Sequence, residues 1–206
     1  MTAEVLAPAT PEERAVAITR FIQVGANLLR FNNFSGVVEV TMGLRREACA
    51  RLRSSWALVP QAARDRLAAL FELADDKRNY ASYKAALRAL PPGAPVVPHL
   101  GAHTSELSVQ EQLLTPHIAA PGGGPEYIHF RRYRELVGII GKLISMQQRG
   151  YGASLPAFSP STCNLLGGTI RPFYFQFDED REAAVARLDA RSRHAEPEAP
   201  GAALPS

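Results

Sequence analysis

Residues 91–148 read PPGAPVVPHLGAHTSELSVQEQLLTPHIAAPGGGPEYIHFRRYRELVGIIGKLISMQQ. An extended, proline-rich approach leads into a short amphipathic segment at 103–114, a glycine-rich break at 116–126 and a long helix ending near Gln148. Apolar side chains recur at spacings of three and four along that helix, which predicts one buried face: Phe130, Tyr133, Leu136, Val137, Ile140, Leu143 and Ile144. The pattern predicts a helical hairpin that protrudes from a bundle.

The preceding residues supply the bundle. Thr10-Pro11-Glu12-Glu13 combines a capping box with a first-position proline, and the helix that it starts is expected to run to about Arg30. The apolar run from Val37 to Leu44 favours a second helix capped by an asparagine, although its β-branched residues also suit a strand. Further helices are predicted over 47–56, 60–74 and 79–90, the last capped by Asn79. The predicted fold class is all-α: an irregular helical bundle with a protruding hairpin.

The expected domain organisation has four parts. Residues 1–9 are predicted to be a disordered lead, and 10–152 a helical domain with its hairpin at about 97–148. Residues 153–194 suggest an irregular wrap followed by a charged helix, and 195–206 a disordered tail.

Composition limits the function classes. The 206 residues carry a net charge of +3, with 46% apolar residues, as in ordinary globular domains. This mild charge does not call for a nucleic-acid partner. The sequence has no apolar run long enough for a membrane span, no secretory signal at its start, and only two cysteines, Cys49 and Cys163. We therefore expect a reducing, cytoplasmic location.

Motifs for bond chemistry, cofactors and metals are missing. The glycines at 122–124 precede Pro125 and not the Lys-Ser pair of a phosphate loop. His99 and His103 stand four residues apart, but Gly101 lies between them and no third ligand is evident, so we predict neither a metal site nor a cofactor. The basic cluster at 131–134 suits either a solvated helix start or an anionic membrane surface.

Seven segments, taken in order over residues 12–151, resemble the catalytic domain of Ras-type guanine-nucleotide exchange factors, the Cdc25-homology or RasGEF domain. The similarity covers the C-terminal half to two-thirds of that domain. The segments are FIQV at 21–24 followed by LRFNNFSGVVEV at 29–40, ARL with Trp56 at 50–56, RNY with Tyr83 at 78–83, VPHLG at 97–101, HTSEL at 103–107, IHFRRY at 128–133 and MQQ at 146–148.

The resemblance implies that this hairpin wedges into the nucleotide site of a Ras-family small GTPase, near switch I, and promotes GDP release without bond chemistry of its own. Ser105, Leu107 and Glu111 would form the leading face. The whole implied GTPase-binding set is His99, Ser105, Glu106, Leu107, Ser108, Glu111, Gln112 and Leu114, with Phe130, Arg131, Arg132 and Tyr133 as support. Recruitment to the inner face of a membrane is a further expectation.

Departures from the family pattern leave rival hypotheses open. Gln112 stands where the family has a second acid, and Leu114 where it has asparagine. Ser108 to Glu111 also has the pattern of a capping box, in which Glu111 would serve a helix start. The family's earlier helices are expected to be missing, as in a fragment or a reduced member. A non-catalytic scaffold for a GTPase or adaptor, and an unrelated bundle that meets a membrane near Arg131, are therefore the alternatives.

Overall fold

A computed structural model describes residues 1–151 and 181–197 of the chain. These residues are mainly helical, with one two-stranded antiparallel sheet that pairs His117 with Ile128 and Ile118 with Tyr127. The predicted all-α class is confirmed. The helices are α1 Thr2–Val5, α2 Pro11–Arg30, α3 Phe34–Arg45, α4 Glu47–Ala50, α5 Arg53–Ala57, α6 Gln61–Leu73, α7 Ala81–Ala89, α8 Leu100–Leu113, α9 Phe130–Gln147 and α10 Arg181–Ala195, and the strands are β1 His117–Ile118 and β2 Tyr127–Ile128.

The chain forms two compact units. Among the described residues, the first comprises 1–26, 39–68, 151 and 181–197, and the second comprises 27–38 and 69–150. The second unit contains the whole hairpin, together with α7 and the start of α3.

The start of α2 follows the predicted capping box. The Glu13 amide donates to Thr10 Oγ1 at 3.3 Å, and Glu13 Oε2 accepts from the Thr10 amide at 3.5 Å. Ile18 and Ile22 are buried on the predicted face. Arg14 is also buried, on a helix whose apolar pattern gives no sign of a buried cation.

The second predicted helix is confirmed as α3, and the strand alternative is wrong. Asn33 acts as its cap, because its Oδ1 accepts the Gly36 amide proton at 2.9 Å. Val37 and Leu44 are buried, so the β-branched run packs as one side of a helix.

The single helix predicted over 47–56 is wrong, because it divides into α4 and α5. The Trp56 indole N–H donates to the Cys49 carbonyl at 2.8 Å. In a continuous helix this carbonyl would accept the Arg53 amide proton instead. Arg53 bonds instead to the Arg51 carbonyl at 2.8 Å. The break leaves Leu52 fully buried.

Asn79 does not cap the fifth helix. Both Asn79 and Tyr80 adopt positive φ values, 52° and 56°, and α7 begins only at Ala81. The Asn79 side chain instead accepts from Lys84 Nζ at 3.1 Å. A tight turn in the left-handed region, which asparagine tolerates well, therefore precedes the helix.

The prediction of disorder is wrong at the beginning of the chain. Residues 2–5 form α1, and Val5 and Leu6 are almost fully buried, because they supply apolar area to the first unit. The tail predicted from 195 is also wrong at its start: Ala195 ends α10, and Glu196 accepts hydrogen bonds from Ser54 and Ser55. Residues 152–180 and 198–206, which include most of the predicted wrap and the rest of the tail, lie outside the described residues.

Candidate functional site

The candidate site is the hairpin made by α8, the β1–β2 turn and α9. The two helices pack against each other within the second unit. The proline-rich approach is tied to the start of α3 by hydrogen bonds. Val97 accepts from the Phe34 amide at 2.9 Å and donates to the Asn32 carbonyl at 3.0 Å. The hairpin therefore starts from a fixed point on the helical core.

The first turn of α8 is held by one phenol. Tyr83 Oη lies 2.9 Å from His103 Nε2 and accepts the His99 amide proton at 3.2 Å. The Tyr83 ring also meets the Phe34 ring edge-on, with centroids 5.2 Å apart. Burial raises the pKa of Tyr83 to about 12, so this phenol keeps its proton at neutral pH.

A second joint connects the end of α8 to the start of α9. Arg132 Nη1 donates to the Leu114 carbonyl at 2.9 Å, and its Nη2 lies 3.8 Å from Glu111 Oε1. The His129 amide donates to the Pro116 carbonyl at 2.9 Å. Arg132 therefore supplies a donor to the end of α8, where carbonyls lack helical partners.

The structure does not bring the predicted leading face together. Ser105 and Glu111 are exposed and Leu107 is half-buried. Leu107 and Glu111 are four positions apart and share one side of α8, whereas Ser105 lies on another side.

Ser105, Ser108 and Gln112 are exposed at spacings of three and four, and they form an exposed stripe along one side of α8. Val109 and Leu113 are exposed on α8 as well, so its outward-facing part combines polar and apolar side chains.

The remaining predicted hairpin residues have fixed surroundings. Glu106 is half-buried, and its Oε2 lies 3.8 Å from Lys84 Nζ. His99 and Leu114 are half-buried as well, at the two ends of α8. These three residues thus belong more to the attachment of the helix than to its open face.

The capping-box interpretation of Ser108 is wrong. Helix α8 begins at Leu100, after His99 as its N-cap residue, so Ser108 lies in the middle of the helix. Glu111 consequently serves no helix start and faces Arg132.

The predicted buried face of α9 is also wrong. Phe130 is 73% exposed and Val137 is 67% exposed, while Ile139 and Met146 are buried. Met146 belongs to the core cluster that contains Phe34 and Tyr83, so the helix turns that side inward. Of the four predicted support residues, Arg132 makes the contacts with α8 described above; Phe130, Arg131 and Tyr133 are exposed.

Sequence reasoning missed the Tyr83–His103 pair. His103 is buried, and its distance from His99 suggested at most a metal pair. Among residues 1–151 and 181–197, no group of three or more His, Cys, Asp or Glu side chains is arranged to hold a metal ion. The available signal was Tyr83 itself, which the sequence comparison had singled out together with the RNY segment. Nothing in the sequence indicated that His103 is its partner.

Comparison with known proteins decides the family. The sequence model of the RasGEF domain matches residues 1–134. The chain belongs to the RasGEF family. The match confirms the resemblance found in the sequence, and it begins at the first residue, including the segment predicted to be a disordered lead.

Several curated proteins are similar to this RasGEF chain. Guanine nucleotide exchange factor SDC25 of Saccharomyces cerevisiae is 29% identical over 150 residues, which cover 69% of this chain and 12% of that protein. Protein son of sevenless of Drosophila melanogaster is 30% identical over 168 residues, which cover 81% of this chain and 9% of that protein. Ras guanine nucleotide exchange factor P of Dictyostelium discoideum is 32% identical over 101 residues, which cover 49% of this chain and 7% of that protein. The chain spans only a small part of each relative.

The part of the chain that the structure describes has no helix both long enough and apolar enough to cross a membrane.

Proposed function

We propose that this RasGEF chain is an exchange domain for a Ras-family small GTPase, and that its hairpin promotes GDP release by inserting beside switch I. The observation that carries the proposal is the family match, which extends over α8 into the start of α9. Its support is the construction of α8. That helix is anchored by Tyr83 and Arg132 at its two ends and keeps Ser105, Ser108 and Gln112 open to a partner.

The proposed mechanism is differential binding. An exchange domain makes and breaks no covalent bond; it binds the nucleotide-free GTPase more tightly than the GDP-bound one. Switch loops are held by contacts to phosphate and magnesium, so a rigid helix that displaces one of them weakens GDP binding. Rigidity matters here because a loosely held helix would lose part of its binding energy to ordering.

The test is release of fluorescent GDP from a panel of Ras, Rap and Ral proteins. With this chain present at micromolar concentration, we expect at least one GTPase of the panel to release GDP about tenfold faster than it does without the chain. This corresponds to a change of roughly 1.4 kcal/mol in the activation barrier. Release at the intrinsic rate from every member would contradict exchange activity.

A second candidate function is a scaffold that binds a GTPase or an adaptor without exchange. The observation that favours it concerns charge. Gln112 has no charge, and the acid that remains on this side, Glu111, lies 3.8 Å from the guanidinium of Arg132. The electrostatic part of a wedge would then be weak, and binding could survive without faster GDP release.

Restoring the two family side chains separates these functions. In the exchange hypothesis, Gln112→Glu with Leu114→Asn raises an activity that the natural chain already has. In the scaffold hypothesis, the natural chain co-purifies with the GTPase at the intrinsic release rate, and acceleration appears only in the double variant. Ala62→Glu on the exposed side of α6 is the matched control for an added acid.

We further propose that the domain acts in the cytoplasm and is recruited to an anionic membrane surface. Arg131 and Arg134 are exposed on α9, whereas Arg132 is engaged with α8. Two cations give only about 2 kcal/mol of attraction to such a surface, so binding would need a second contact. Flotation with and without anionic lipid tests it, and recovery that is independent of the lipid charge would contradict it.

A further inference from the structure

Tyr83 occupies a position that controls the start of α8. Its hydroxyl bonds the backbone of the N-cap residue, His99, at 3.2 Å and the side chain of His103, one turn later, at 2.9 Å. The cluster lies in the core of the second unit, where Tyr83 and His103 are buried. A single oxygen atom therefore joins α7 to both the cap and the first turn of the hairpin helix.

The proton arrangement at this oxygen depends on the charge of His103. Tyr83 Oη accepts the His99 amide proton, and its own proton has an acceptor in Nε2 when the imidazole is neutral and carries its hydrogen on Nδ1. Protonation of His103 puts hydrogens on both nitrogens. Nε2 then has to donate to Tyr83, and the phenol proton loses its acceptor inside the core.

The surroundings of His103 also oppose a positive charge. Burial lowers the pKa of His103 below its ordinary 6.5, and the charges of Lys84, Lys142 and His99 act in the same direction. Glu106 opposes them, but it lies beside Lys84, with a closest distance of 3.8 Å. The Nδ1 atom of His103 is buried and has no hydrogen-bond partner within the described part of the chain.

We propose that Tyr83 and His103 are positioning residues that hold the first turn of α8 on the core, and that protonation of His103 loosens this turn and lowers exchange activity. The link to exchange rests on the proposed function, whereas the joint itself can be tested without a GTPase.

The direction of the pH effect follows from the proton count. A histidine whose pKa is lower in the folded than in the unfolded state binds fewer protons when folded, so stability rises with pH. The contribution of this joint is fully present above about pH 6.5, the unfolded value, and decreases as the pH falls below it. Exchange should therefore weaken on acidification and not on alkalisation.

The first experiment measures GDP release between pH 5.5 and 7.5, with each rate divided by the intrinsic rate of the same GTPase at the same pH. We expect the acceleration to fall about fivefold or more across this range in the natural chain, a typical coupling between linked equilibria. His103→Gln cannot titrate and should flatten the profile. The matched control, His194→Gln, replaces an exposed histidine of α10 and should keep the natural profile.

The second experiment needs no partner and guards against a variant that fails to fold. Hydrogen exchange of the natural chain, corrected for the intrinsic pH dependence, should show faster opening of residues 100–106 at pH 5.5 than at 7.5. Tyr83→Phe should open that turn at both values. Equal protection at both pH values, or an NMR titration of His103 at or above pH 6.5, would overturn the proposal. Loosening of α8 together with no exchange at any pH would support the joint and contradict the proposed function.

Discussion

Replacing Arg14 with alanine is expected to lower the free energy of unfolding by about 3 kcal/mol, because it removes a buried cation and leaves the partly buried carboxylate of Glu196 without it. Arg14 is 1% exposed, and its Nη2 lies 3.1 Å from Glu196 Oε1. Its other donors reach Ser55 Oγ at 3.0 Å and the carbonyls of Pro8 and Ala9 at 3.3 and 3.0 Å.

The carboxylate of Glu196 depends on the same cluster. It accepts the Ser54 and Ser55 amide protons at 2.7 and 3.1 Å and a hydrogen bond from the Ser55 hydroxyl. Burial raises the pKa of Glu196, but the bonds from Ser55, Ser54 and Arg14 outweigh it and hold that pKa below the ordinary 4.5. Within the first unit, the residue that follows α10 is thus bonded to α2 through Arg14 and to α5 through Ser54 and Ser55.

Urea unfolding measures this effect as a shift of the midpoint at constant slope. Arg20→Ala, an exposed arginine of the same helix, is the matched control and should change stability by no more than about 0.5 kcal/mol. If Arg14→Ala does not fold, Glu196→Gln keeps the shape of the acceptor while removing its charge. An Arg14→Ala variant as stable as Arg20→Ala would contradict the account of this cluster.

The largest effect on activity is expected from Ser108→Trp. Ser108 lies in the middle of α8 on its exposed stripe, so an indole there leaves the core intact and blocks close approach of a partner. Loss of a central contact in a protein interface costs about 2 kcal/mol or more. When the concentration of this chain limits the rate, this corresponds to roughly 30-fold slower GDP release.

Ala62→Trp is the control for the added indole. Ala62 is exposed on α6, outside the hairpin, and the same bulk there should leave GDP release unchanged. Both variants should unfold at the same urea concentration as the natural chain. Equal GDP-release activity of the Ser108→Trp and Ala62→Trp variants would contradict the proposal that α8 contacts the GTPase.

Local signals predicted the beginnings of two helices, α2 and α3. Thr10 and Glu13 form the capping box that their spacing predicts, and Asn33 caps α3. These bonds join residues three apart, so the sequence alone contains both partners. The pairing of β1 with β2 and the break near Leu52 depend on longer contacts, and periodicity did not indicate them.

The rotation of α9 was beyond sequence reasoning for a physical reason. A repeating apolar stripe shows which side of a helix avoids water, but not whether its neighbour belongs to the same chain. The side that turns inward contains Ile139 and Met146 together with Arg132, a cation tolerated there because it bonds the Leu114 carbonyl. A polar residue at that position weakened the signal of the buried side.

Buried polar residues were missed for a related reason. Arg14 and Glu196 are separated by 182 positions, and Tyr83 and His103 by 20, so neither pair leaves a local pattern. Each pair is joined by a side-chain hydrogen bond that forms only in the folded chain, at 3.1 Å for Arg14 and Glu196 and at 2.9 Å for Tyr83 and His103. The site was therefore predictable as a hairpin, while its anchoring was not.

The most direct measurement compares the affinity of the chain for one GTPase in its nucleotide-free and GDP-bound forms. Exchange by differential binding predicts that the nucleotide-free form binds at least about tenfold more tightly, and that added GDP dissociates the complex. Ser108→Trp should reduce this preference, and Ala62→Trp should not. Equal affinity for the two forms would contradict the exchange mechanism, whatever the strength of binding.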